Sequence, residues 1–239
     1  FNTSGHPGSP KSYNLNKIKE INIPTSDGID LLSWYYIGDK NLPLLVYFHG
    51  NSFHIGDRAH RIKKYIDKNW SVLLVSWRGF GGNSGKPSEQ NLYEDGNAVL
   101  SWISKNTSFE NKQIVIYGES LGSGVAVELG TKSKFLSLVL EAPFMSIPEV
   151  AQKKYKIFPT KYLVKDKFDN YSKIDKIKSP LLILSGKKDE IVPHHHSIKL
   201  LEKAKVKKKG VYIDEAIHNN LYDFGIEKEV IKFNLELWQ

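Results

Sequence analysis

The chain has 239 residues, 40% hydrophobic and 25% charged, which fits one folded α/β-sized unit rather than a disordered or fibrous chain. It contains no cysteine, and this excludes disulfides, thiolate nucleophiles and Cys-based zinc sites. The net charge of +8 comes from scattered lysines, with only Arg58, Arg61 and Arg78 as arginines; lacking interleaved aromatics, this pattern argues against nucleic acid and leaves room for peripheral or tethered membrane association.

Residues 1–17 are rich in Gly, Pro, Ser and Asn without periodicity and read as a flexible tail. The chain opens on Phe1 rather than Met, which leaves open an upstream leader or membrane anchor. From residue 18 to 239 apolar runs and amphipathic segments take turns. Ile18–Ile23 and Leu31–Ile37 alternate in polarity around the turn signal Ser26-Asp27-Gly28, which predicts an antiparallel pair. Leu44–Phe48 is continuously apolar, as a strand covered on both faces must be, and Val72–Ser76, Ile114–Tyr117, Leu136–Leu140, Leu181–Leu184 and Val211–Ile213 read alike. None of these runs approaches the roughly 18–20 apolar residues needed to span a bilayer.

Helices are predicted between the strands. Arg58–Lys68 gathers Ile62, Tyr65 and Ile66 on one face, and Ser88–Lys105 spaces Leu92, Val99, Trp102 and Ile103 at the helical period. Leu121–Lys132, Ser197–Lys205 and Tyr222–Trp238 continue the alternation. Strands alternating with helices imply an α/β fold with a mostly parallel sheet and helices on both faces. Met145–Lys178 is longer than a simple crossover needs and is punctuated by Pro148 and Pro159, so a small cap of one or two short helices is expected over the sheet.

In an open parallel sheet, reacting groups gather at the carboxyl ends of the strands. Gly118-Glu119-Ser120-Leu121-Gly122 lies between a strand and a helix pattern, the setting of a nucleophile elbow. There the flanking glycines permit a sharp turn, and the helix N-terminus offers free N–H groups to a developing oxyanion. A serine hydroxyl requires a base, and the base an acid to orient it. Asp189 follows the strand Leu181–Leu184 and His218 follows Val211–Ile213, in the order this fold uses. Glu190 is the rival acid. Of the other histidines, His194, His195 and His196 read as a solvated helix start, His60 as a surface position and His6 as part of the tail. His54 is a minor candidate for substrate contact, and His49 is a packing residue.

His49-Gly50-Asn51 follows the strand Leu44–Phe48, so the Asn51 backbone N–H suits one oxyanion donor, with the Leu121 N–H as the other. Phe53, Phe144, Ile147 and Tyr155 are expected to line an apolar acyl pocket. Arg78–Gly85 could be taken for a dinucleotide loop, but its glycines are out of register and its helix starts too late. No metal site is expected.

With His49-Gly50-Asn51, the run Arg78-Gly79-Phe80-Gly81, the elbow around Ser120, and Glu141-Ala142-Pro143-Phe144 with Ser146-Ile147-Pro148, the chain resembles the bud-emergence-type α/β hydrolases across roughly residues 18–225. The resemblance implies the α/β-hydrolase fold, a Ser–Asp–His triad at Ser120, Asp189 and His218, and no cofactor. One departure is the bulky Ser52-Phe53-His54-Ile55-Gly56, where relatives usually carry small residues. The expected chemistry is hydrolysis of an ester or thioester of a small acyl substrate through an acyl-enzyme. A peptidase or acyltransferase on the same triad, or a non-catalytic binding protein, are the alternatives. The sequence sets no oligomeric state.

Overall fold

The computed structural model describes residues 1, 3, 5–52, 54–154 and 159–238. Strands β1 (Lys19–Pro24) and β2 (Asp30–Tyr36) pair antiparallel around the predicted turn. Six further strands follow among the described residues: β3 (Leu44–Phe48), β4 (Ser71–Val75), β5 (Ile114–Glu119), β6 (Ser137–Glu141), β7 (Leu181–Gly186) and β8 (Lys208–Ile213). These six run parallel, and the sheet order is β1-β2-β4-β3-β5-β6-β7-β8. The order reverses at β3, so the loops after β3 and β5 face each other across the point where such sheets bind ligands.

Among the described residues, seven α-helices connect and cover the sheet: α1 (Ala59–Ile66), α2 (Glu89–Asn106), α3 (Leu121–Lys132), α4 (Ile147–Lys154), α5 (Thr160–Leu163), α6 (His195–Lys203) and α7 (Ile226–Leu235). The period of two along each strand divides the core. Val46, Phe48, Ile116, Leu138 and Ile183 face α2, α3 and α6, whose Leu92, Val99, Val125, Leu129 and Leu200 cover them. Leu45, Tyr47, Val115, Tyr117 and Leu182 face α1 and α7, meeting Ile62, Tyr65, Val230 and Phe233. Full burial of each such side chain contributes about 1.5–3 kcal/mol, so two apolar layers hold the central strands in one register.

Local signals explain the boundaries. Ser88 caps α2, its Oγ accepting the Asn91 N–H at 3.2 Å. Strand β5 runs on through Glu119 because Gly118 and Glu119 still pair with Phe48 and Glu141 on the neighbouring strands. Strand β8 departs from the expectation of a covered strand: it begins at Lys208, lies at the sheet edge and is only half-buried. Residues 145–178 carry α4, α5 and a 3₁₀ turn at Ile174–Lys176.

The N-terminal stretch, expected as a tail, includes a 3₁₀ turn at Pro10–Tyr13, with the Tyr13 hydroxyl donating to the Pro7 carbonyl at 2.8 Å and Leu15 buried. Arg78, just before the glycine-rich run 79–85, bridges the buried Asp95 of α2 at 2.6 Å and Asp27 of the β1–β2 turn at 2.6 Å. Among the described residues no helix is long and apolar enough to cross a membrane.

Candidate active site

Strand β5 ends at Glu119 and α3 begins at Leu121, which leaves Ser120 alone to turn the chain. It does so at φ 47° and ψ −109°, a strained conformation for any residue with a side chain. The flanking glycines make the turn possible by close approach. A Cβ on Gly122 would lie 2.1 Å from the Phe48 carbonyl oxygen, and one on Gly118 would lie 2.6 Å from the Gly122 oxygen. The Ser120 N–H donates to the Glu141 carbonyl at 2.8 Å, which pins the elbow to β6.

The two other residues reach the same point from the ends of β7 and β8. His218 Nε2 lies 3.1 Å from Ser120 Oγ, and His218 Nδ1 lies 2.7 Å from Asp189 Oδ2. The second Asp189 oxygen accepts the N–H groups of Ile191 and Val192 at 2.9 and 2.8 Å, so the carboxylate is fixed from both sides. Glu190, by contrast, is exposed, and its backbone oxygen takes the Lys153 ammonium. With Nδ1 donating to a carboxylate, Nε2 is left as the acceptor facing the serine hydroxyl.

The loop after β3 closes on the elbow. A Cβ on Gly50 would sit 3.4 Å from Ser120 Cβ, which brings Asn51 beside Ser120 and the orphan N–H groups that open α3 at Leu121. His49 is buried beneath this loop, Nδ1 2.8 Å from the Gly50 oxygen, and burial pushes its pKa down to about 3.

Residues 39–170 match the family model described as serine aminopeptidase, S33. An uncharacterised protein of Mycobacterium tuberculosis is 33% identical over 207 residues, covering 84% of this chain and 73% of its own length. The bem46 protein of Schizosaccharomyces pombe is 31% identical over 225 residues, covering 89% of this chain and 74% of its own. The chain is an α/β hydrolase. The resemblance carried by the sequence motifs therefore holds. Among solved structures, an esterase of Pyrococcus furiosus shares the fold at TM-score 0.81 and 21% identity over the whole of both chains. The Butyrivibrio proteoclasticus enzyme Est1E, solved with ferulic acid bound, shares it at TM-score 0.76 and 21% identity, over 91% of this chain and 98% of its own.

Above Ser120 the hydrolase holds a cavity of about 420 Å³. Phe144 and Ile147 line it; Phe53 and Tyr155 lie outside the described residues. Val150, Val164, Phe168, Ile191 and Val192 extend the apolar wall, most of it from the cap and the loop after Asp189. For Val150 the signal lies in its helical spacing from Ile147. His54 packs near Gly5 and Gly81 instead of facing the cavity. His196 corrects the reading of a solvated histidine run: it is buried, its Nδ1 accepts the Met145 N–H at 3.0 Å, and burial pushes its pKa down to about 4. Among the described residues no group of three or more His, Asp or Glu could hold a metal ion.

A charged layer under the elbow was not foreseen. Register places Glu119 directly beside Glu141, two buried carboxylates on neighbouring strands. Arg58 and Arg61 answer them: Arg58 forks onto Glu119 at 2.7 and 3.0 Å, and Arg61 contacts Glu141 at 3.2 Å and Glu119 at 3.4 Å. Burial favours the neutral Glu119 acid, but the two guanidinium charges outweigh it and hold the carboxyl well below the usual range. Burial, opposed by Arg61, raises the Glu141 carboxyl. Tyr47 and Tyr117, stacked at 4.4 Å, hydrogen-bond to these acids.

Proposed function

We propose that this hydrolase cleaves esters or thioesters of apolar acyl groups, with Ser120 as nucleophile, His218 as general base and acid, and Asp189 as the orienting carboxylate. The observation that carries the reading is the unbroken hydrogen-bond path from Ser120 Oγ to His218 Nε2 at 3.1 Å and from His218 Nδ1 to Asp189 Oδ2 at 2.7 Å. His218 Nε2 takes the hydroxyl proton as Oγ attacks the acyl carbonyl, and the oxyanion is received by the backbone N–H groups of Asn51 and Leu121. The imidazolium returns its proton to the departing alcohol or thiol, leaving an acyl-serine. Water, deprotonated by the same nitrogen, then attacks the acyl carbon, and the acid leaves as Oγ recovers the proton. Asp189 holds the tautomer and stabilises the charged imidazole.

Apolar lining from Phe144, Ile147, Val150 and Phe168 supports an acyl chain. An aminopeptidase needs a free carboxylate for the substrate ammonium. Of the two cavity acids, Glu119 is paired with Arg58, and Asp166 has one oxygen turned to the Glu89 N–H at 2.7 Å. Labelling by a fluorophosphonate probe tests the nucleophile: wild type is expected to label, and Ser120→Ala is expected to lose both label and turnover of p-nitrophenyl esters, by about a millionfold in kcat. Persistent label in the variant would sink the assignment, and turnover of aminoacyl-p-nitroanilides in preference to the esters would move the reading to a peptidase.

A further inference from the structure

Arg58 stands at the entrance to α1, buried, and its guanidinium spends all three nitrogens on the two chain segments that flank Ser120. Nε and Nη2 donate to the Glu119 carboxylate at 3.0 and 2.7 Å, and Nη1 donates to the Ser52 carbonyl at 3.1 Å. Glu119 is the residue before the nucleophile, and Ser52 is the residue after Asn51. A planar fork of fixed geometry thus spans the elbow and the loop proposed to give the second oxyanion donor, a task that a lysine ammonium cannot copy.

The same contact solves an electrostatic problem. Glu119 Oε1 lies 3.1 Å from where a Cβ on Gly50 would stand, so a carboxylate abuts the loop that must receive a developing negative charge. Glu119 and Arg58 both line the cavity floor. An unpaired carboxylate there would oppose oxyanion formation, in a setting where low dielectric magnifies every charge. Buried ion pairs add little net stability compared with apolar replacements, so the pair is better explained by geometry and charge at the site than by folding energy.

We propose that Arg58 is a positioning residue for acyl transfer, which holds Asn51 against the elbow through Ser52 and neutralises Glu119 so that the oxyanion can form. The inference rests on the reading of Ser120 as nucleophile. The full chain is assayed on p-nitrophenyl butyrate, with active sites counted by fluorophosphonate titration so that kcat refers to folded molecules. Loss of one oxyanion donor lowers kcat about 10²–10³-fold, and Arg58→Gln is expected to fall by about 100-fold with KM within about threefold of wild type. Arg58→Gln/Glu119→Gln, which removes the carboxylate that Arg58→Gln leaves to Arg61 and Tyr47 alone, is expected to regain about tenfold of that loss per active site. Arg58→Lys keeps the charge but not the fork and is expected to fall about tenfold in kcat at unchanged KM, which also serves if Arg58→Gln does not fold.

Urea unfolding is followed in parallel, because a merely structural pair would lower the midpoint and leave kcat per titrated site intact. An active wild type with Arg58→Lys and every folded Arg58→Gln protein at wild-type kcat would overturn this inference alone. A wild type that neither labels nor turns over the ester would overturn the Ser120 reading and this inference with it.

Discussion

Asp189 illustrates how much of a site is decided by one side chain's spare lone pairs. Its Oδ1 accepts two backbone N–H groups at 2.9 and 2.8 Å, which leaves Oδ2 facing His218 at 2.7 Å. An amide in its place would present a donor to one of these partners, forcing either the loop or the imidazole tautomer to change. Asp189→Asn is therefore expected to lower kcat about 10⁴-fold with little change in KM, measured on the same p-nitrophenyl ester. Glu190→Gln, whose side chain is exposed next door, is expected to stay active; the reverse ranking would exchange the two acids. The adjacency of Asp189 and Glu190 is what the sequence leaves undecided. The Asx-type turn that selects Asp189 is a backbone arrangement with no residue-type signature of its own.

At the scale of elements, strands β3, β5 and β7 were legible because their apolar runs must be covered on both faces. Helix α3 was legible to the residue because glycines bracket Ser120. Strand β8 was legible only in its second half, Val211–Ile213, since an edge strand needs no continuous apolar run and its first three residues, Lys208-Lys209-Gly210, carry no apolar signal. The charged layer was hidden for another reason: Glu119 and Glu141 become neighbours only through the parallel register of β5 and β6. A clue was present in the three arginines, all of which enter buried ion pairs while lysines supply the remaining positive charge of the chain. Element packing also shapes the cavity, for Ile147 and Val150 project from α4 into its wall. Ile147→Trp is expected to raise KM for p-nitrophenyl octanoate about tenfold or more while sparing the acetate, since one large side chain fills much of a cavity of about 420 Å³. Equal change on both esters would remove Ile147 from the acyl wall.

Over the whole molecule, acid sensitivity follows from buried histidines such as His196. His196 joins α6 to the loop after β6 by accepting the Met145 N–H, and burial lowers its pKa from 6.5 to about 4. The unfolded chain takes up a proton near pH 6.5 that the folded chain refuses until near pH 4. The unfolded state binds more protons in that window, so stability is full above pH 6.5 and is lost as pH falls towards 4. His196→Asn, whose Oδ1 can still accept the Met145 N–H, is expected to lose less stability between pH 7 and 4.5 than wild type. Urea unfolding midpoints across that range check this, and identical slopes for the two proteins would refute it.

The order in which the three residues occur along the chain has a further consequence for how the protein is made. His218 stands 98 positions after Ser120 and 29 after Asp189, on the loop beyond β8, the edge strand that comes last in the chain among the described residues. A nascent chain emerging from the ribosome carries Ser120 into solvent long before its imidazole exists, and β8 must zip onto β7 before Nε2 can reach the hydroxyl. With the proposed roles, unfinished or part-folded copies hold a harmless alcohol, and the capacity to attack an acyl group arrives only when the sheet is closed at its far edge.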